Sequence, residues 1–173
     1  MIRNIRLVLA ILTASCFLIA QSSEVVSIEF GSARIALGMP EAQVKDSLIQ
    51  GGRRLVFDTV GGDNPGAVYQ GQRYEGQVTF NRRNRQVVYA AYHYPATRDA
   101  TVLAQQIAAA VTRLDRKACV VANHSGQGAD GSLSATYLDC GPKRLTLMTA
   151  EVIGGERTTH VQVSIGDLTA TER

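Results

Sequence analysis

The stretch from Ile35 to Leu48, Ile-Ala-Leu-Gly-Met-Pro-Glu-Ala-Gln-Val-Lys-Asp-Ser-Leu, reads as the end of a strand turning into a helix. Gly38 suits a tight turn. Pro40 belongs at the first helical position, where its missing N–H would have no helical partner, and Glu41 complements the positive helix end. Val44 and Leu48 share one face. A chain organised around this phrase must pack a helix on sheet.

The flanking segments supply the sheet. Glu24 to Phe30 alternates Val26, Ile28 and Phe30 against Val25, Ser27 and Glu29, the period of a half-buried strand. Gly31-Ser32 turns it into a second strand, Ala33 to Leu37. Helix one runs from about Pro40 to Gln50 and stops at Gly51-Gly52. Leu55 to Thr59 is a short strand, and Gly61 to Gly66 is a turn-rich loop. Tyr74 to Phe80 and Gln86 to Tyr94 form a hairpin across Asn81 to Arg85, whose arginines make a solvated loop tip. Thr97 or Asp99 caps a second helix with an apolar stripe of Leu103, Ile107, Ala110, Val111 and Leu114. That stripe is expected to bury more than Val44, Leu48 and Ile49 of helix one. Ala118 to His124, Leu133 to Cys140, Arg144 to Val152 and Thr158 to Ile165 are strands. A bulged turn at Gly154-Gly155 puts Leu145 and Leu147 on the face of Val161, Val163 and Ile165.

The expected fold is therefore α+β: two helices packed on antiparallel sheet, in two helix-plus-strands halves of about 24–95 and 96–168. With 173 residues, 45% of them hydrophobic, and a mean hydropathy of −0.02, the composition argues for one domain and against disorder or a polytopic membrane protein.

Arg3 and Arg6 precede an apolar run, Leu7 to Ala20, as in a secretory signal peptide. Residues 1–22 are set aside as leader, with cleavage after Ala20 or Ser22, and 23–173 as the domain. Loss of the two arginines lowers the net charge from +3 to +1, and nothing suggests nucleic acid. Lipidation of Cys16 is the alternative processing, lacking the leucine of a usual lipobox, and would bring the only membrane contact. Cys119 and Cys140 then remain, in a compartment where thiols oxidise. A hairpin centred on Gly126 to Gly131 sets Val121 opposite Leu138 and Cys119 opposite Cys140, so these two cysteines are expected to be joined.

Chemistry is harder to find. Gly126-Gln127-Gly128-Ala129-Asp130-Gly131 has the spacing of a dinucleotide loop, but Ser132 to Asp139 alternates like a strand where that loop needs a helix. His93, His124 and His160 lack a second ligand at zinc spacing, so no metal and no cofactor is expected. His124 beside Ser125 and Asp130 lacks a nucleophile-elbow pattern.

The phrase Leu37-Gly38-Met39-Pro40-Glu41 with Val44 and Leu48, followed by Gly76-Gln77-Val78-Thr79-Phe80, a polar turn and Val87-Val88-Tyr89, resembles the BamE/SmpA family and the related β-lactamase-inhibitor-protein fold. Pro40 stands where BamE-like chains usually have threonine. The resemblance implies helices on antiparallel sheet and a noncatalytic envelope protein that acts by binding another protein. It transfers no catalytic residue.

The reading is an exported, periplasmic or secreted binding module, an inhibitor or assembly factor. Its alternative is a small secreted hydrolase or lipid-binding enzyme using His124 or His93. Strand parity locates the partner site. If Phe80 pairs with Gln86, then Val78, Gly76 and Tyr74 face Val88, Ala90 and Tyr92 in the core. The reverse face carries Glu75, Gln77 and Thr79 beside Val87, Tyr89, Ala91 and His93. Tyr89, His93, Gln77 and Thr79 are the candidate partner contacts, against the plainer reading of Tyr89 as core packing.

Overall fold

The computed structural model describes residues 25–57, 66–114, 118–128, 131–152, 155 and 157–167. The leader, Cys16, most of the Gly61 to Gly66 loop, Asp130 and Gly154 lie outside these residues. In chain order the elements are β1 (Ser27–Phe30), β2 (Ala33–Ala36), α1 (Glu41–Gln50), β3 (Arg54–Val56), β4 (Gly66–Gln70), β5 (Arg73–Phe80) and β6 (Val87–His93). There follow α2 (Ala100–Val111), β7 (Val120–Gly128), β8 (Gly131–Cys140), β9 (Lys143–Val152) and β10 (Arg157–Gly166).

The α+β expectation of two matching halves is overturned. Ten strands against two helices make the described chain mostly β, with an eight-stranded antiparallel sheet ordered β3-β4-β5-β6-β10-β9-β8-β7 and a separate β1-β2 pair. The halves differ physically. The first has strands of three to eight residues and an added hairpin, whereas the second has strands of nine or ten. Helix α1 packs on β2 and β3, and α2 on β10. β4 adds to the expected strands: Gly66, read as the end of a turn-rich loop, opens it, and Gly71, at φ +60°, serves the tight reversal into β5.

The organising phrase docks where its residues suggest. Gly38 N–H donates to the Val87 carbonyl at 2.8 Å, Val87 N–H to Met39 at 2.9 Å, and Glu41 N–H to Arg85 at 3.0 Å. Pro40 is the N-cap, one residue earlier than expected, and Glu41 opens the helix. Burial opposes ionisation of Glu41, but hydrogen bonds and charge from Lys45 and Arg85 outweigh it and hold the carboxyl below its usual range. At the far end Arg53 N–H donates to Leu48 at 2.7 Å and Gly52 N–H to Ile49 at 3.0 Å, with Gly52 at φ +71°. This crossed pair satisfies carbonyls that a helix end leaves open.

Both helices and the β1-β2 hairpin lie on one face of the large sheet, the inner face. Phe30, Ile35, Val44, Leu48, Val163 and Ile165 form its fully buried centre. Helix one contributes the large, fully buried Val44 and Leu48, whereas α2 contributes the small Ala110. Leu103, Ile107 and Leu114 are only partly buried, and Val111 is 48% exposed, contrary to the expectation for the second stripe. Asp99 caps α2, accepting from Thr101 N–H at 2.8 Å and Val102 N–H at 3.0 Å.

The β9–β10 register pairs Leu147 with Val161 and Leu145 with Val163, the shared face expected of a bulged turn. β7 and β8 pair Val121 with Leu138 and Val120 with Asp139, and the next step along is the Cys119–Cys140 disulfide with a Cα–Cα distance of 4.3 Å. Closing a loop of this length contributes about 3 kcal/mol in the chain-entropy view. The glycine-rich stretch belongs to this hairpin, with Gly126 opposite Leu133, and opens no helix.

Candidate functional site

The outer face of the sheet is the candidate surface, and two bulges set its composition. β4 pairs Val68 with Gly76 but Tyr69 with Tyr74, leaving Glu75 as the extra residue. β6 pairs Tyr89 with Thr79 but Val87 with Phe80, leaving Val88 extra. A bulge lets a strand change the side on which following residues point. Three parity assignments are thereby corrected. Glu75 turns inward to meet Arg53, Val87 joins Phe80 in the core, and Tyr74 moves to the outer face, where its ring stands 5.2 Å from that of His93. The register between the bulges is Val78 to Ala90 and Gly76 to Tyr92, two residues from the expected one. A shift of two preserves parity.

Gln77, Thr79, Tyr89 and His93 therefore do share the outer face. Ladder pairing extends it through Gln162 and Ser164 of β10, Thr146 and Arg144 of β9, and Tyr137 and Asp139 of β8. A concavity of about 770 Å³ opens there, with Gln77 and Tyr89 on one side and Tyr137 and Met148 on the other. Tyr89 is 6% exposed, and its hydroxyl accepts a hydrogen bond from Gln162 Nε2 at 2.6 Å. Thr79 is also buried, and its hydroxyl finds no partner among the described residues. Arg144 pairs with Asp139, Nη2 to Oδ2 at 3.1 Å, and lies over the Tyr137 ring. This is an aromatic and hydroxyl-rich floor with its charged side chains, Asp139, Lys143, Arg144 and Asp167, gathered at one end and Arg144 paired with Asp139.

The structure also joins two histidines that the sequence leaves 67 residues apart. His93 Nδ1 and His160 Nε2 stand 3.1 Å apart. His93 pairs with Gln162 across the β6–β10 ladder, which brings His160 to the diagonal position on the same face. The Nε2 atom of His93 is buried and has no hydrogen-bond partner among the described residues. Linear spacing rules look along one chain segment, so they miss ligands and partners that strand pairing brings together. The readable signal was parity: His160 lies an even number of residues from Gln162.

Burial, and secondarily the neighbouring His160, pushes the His93 imidazole down from its ordinary 6.5 to about 4, while burial also lowers His160. A depressed histidine pKa means that the fold disfavours the cation. Its stability is full above pH 6.5 and is lost as pH falls from 6.5 towards 4, by up to about 3 kcal/mol for His93. Urea unfolding at pH 7.5 and pH 4 should show that loss, and His93→Gln should reduce it; an equal slope in both proteins would assign the acid sensitivity elsewhere.

His124 lies exposed on β7 opposite Ala135, far along the sheet from the histidine pair. Ser125 is the next residue of the same strand, so the two side chains point to opposite faces. Among the described residues no three His, Cys, Asp or Glu side chains gather as a metal cluster. No family model, curated protein or solved structure matches the chain.

Proposed function

We propose that the chain is a noncatalytic exported binding module that seats a loop of another envelope or secreted protein on the outer face of its sheet. The observation that carries this reading is the one-sided layering. Both helices pack on the inner face, and the outer face keeps an open concavity floored by ordered tyrosine, glutamine and hydroxyl side chains. Tyrosine offers a large apolar area with a polar tip at little entropic cost, and the Tyr89–Gln162 bond fixes part of the floor before a partner arrives. With Asp139 and Arg144 paired to each other, the surface suits a neutral polar loop rather than a strongly charged one.

Export is supported by the Cys119–Cys140 disulfide together with the leader pattern. Among the described residues no helix is long and apolar enough to cross a membrane. The resemblance to BamE-like and inhibitor-like folds points to the same class of activity.

Tyr89 and Thr79 are too buried to be altered without disturbing the fold, so Gln77 and Tyr137 are the informative positions. Affinity capture from the native envelope fraction should lose at least about tenfold of its partner when both become alanine, since interface tyrosines often dominate binding. Thermal unfolding should stay close to that of the parent. Unchanged capture by the folded double variant would remove the partner from this face.

A further inference from the structure

We propose that His93 and His160 form a two-imidazole chelate for a late first-row transition-metal ion, with Cu(II) the preferred occupant. Their facing nitrogens, His93 Nδ1 and His160 Nε2, are 3.1 Å apart. At metal–nitrogen distances of about 2.0–2.1 Å, two nitrogens on one ion stand roughly 2.9 Å apart at a right angle and roughly 3.4 Å apart at the tetrahedral angle. The observed separation falls between these limits, so the two nitrogens already stand at the spacing of a chelating pair, and small ring rotations would aim both lone pairs at one ion. The sheet ladder fixes both backbones, and the Tyr74 ring, edge-on at 5.2 Å, packs against His93.

The protons also permit it. In the metal-free pair one ring donates its N–H to the other. Binding requires that this proton move to the remote nitrogen of its own imidazole, leaving a lone pair at each facing atom and releasing no net proton. For His93 the remote atom is Nε2, which is buried and makes no hydrogen bond among the described residues, so none of them holds the ring in the opposing tautomer. Two nitrogens and water suit copper, nickel or zinc, and among these copper binds most tightly to a given nitrogen site. A missing carboxylate behind His93 leaves the ligand less basic than in a dedicated metalloenzyme centre. The site is thus one for exchangeable metal.

The test is Cu(II) titration of the folded chain carrying Cys16→Ser, in which the Cys119–Cys140 bond leaves no free thiol to compete. One equivalent should bind with two-nitrogen superhyperfine structure in the electron paramagnetic resonance spectrum. His93→Gln and His160→Gln should each weaken that site at least about tenfold, while His124→Ala leaves it unchanged. If His93→Gln does not fold by circular dichroism, the less buried His160→Gln decides. Absence of a one-equivalent site, or a spectrum and affinity unaffected by His160→Gln, would overturn the proposal.

Discussion

Replacing Glu75 by alanine should destabilise the protein by about 3–5 kcal/mol, because it strands a buried guanidinium. Arg53 and Glu75 have side chains only 8% and 6% exposed, and Arg53 Nε donates to Glu75 Oε2 at 2.6 Å. A second nitrogen, Nη1, donates to the Gly51 carbonyl at the end of α1 at 2.6 Å. The same guanidinium lies against Gly31, where an added Cβ would come within 2.4 Å of Nη2. One side chain thus ties the β1-β2 turn, the end of α1 and the β5 bulge. Urea unfolding measures the cost as a lower midpoint at constant slope. The joint replacement of Arg53 by methionine and Glu75 by leucine should recover much of the loss, since it removes both charges at once. A single-variant loss below about 1 kcal/mol would show that the pair is effectively solvated.

Leu48→Ala should cost about 3–5 kcal/mol and exceed the cost of Ile107→Ala. Leu48 is fully buried within the inner cluster, so truncation removes transfer energy and leaves a cavity. Ile107 keeps part of its surface exposed and has less to lose. Parallel denaturant titrations of the two variants make the comparison independent of absolute extrapolation. A larger loss for Ile107 would return the principal helix packing to α2.

Much of this structure could be read from local chemistry. The Ile35-to-Leu48 phrase forecast a strand end, a turn and a helix because Gly38, Pro40 and Glu41 each answer a backbone need of their own position. The disulfide was legible because hairpin pairing from a glycine-rich turn makes Cys119 and Cys140 opposite by counting. What counting could not supply was an inserted residue. Both bulges sit at long-range contacts, Glu75 at the Arg53 ion pair and Val88 beside Gly166 at the end of β10, where an added Cβ would lie 2.0 Å from the Val88 carbonyl oxygen. Each insertion re-aimed neighbouring side chains, so Tyr74, Glu75 and Val87 changed faces while Gln77, Thr79, Tyr89 and His93 kept theirs. Helix two misled for a related reason. Its sequence stripe is apolar, but α2 docks on β10 with Ala110 fully buried, leaving Leu103, Ile107 and Leu114 partly exposed at the edge of the contact and Val111 48% exposed. The β-rich balance and the His93–His160 contact both arise from long-range strand pairing, which periodicity within one segment does not encode.

Site-specific photo-crosslinking tests the binding function most directly. A benzoylphenylalanine at Tyr137, on the outer concavity, is compared with one at Gln43, exposed on α1 of the opposite layer. Irradiation in the native envelope should join a discrete protein to the Tyr137 probe and none to the Gln43 probe. A discrete adduct at Gln43 with none at Tyr137, in folded and exported protein, would contradict binding through the outer sheet face.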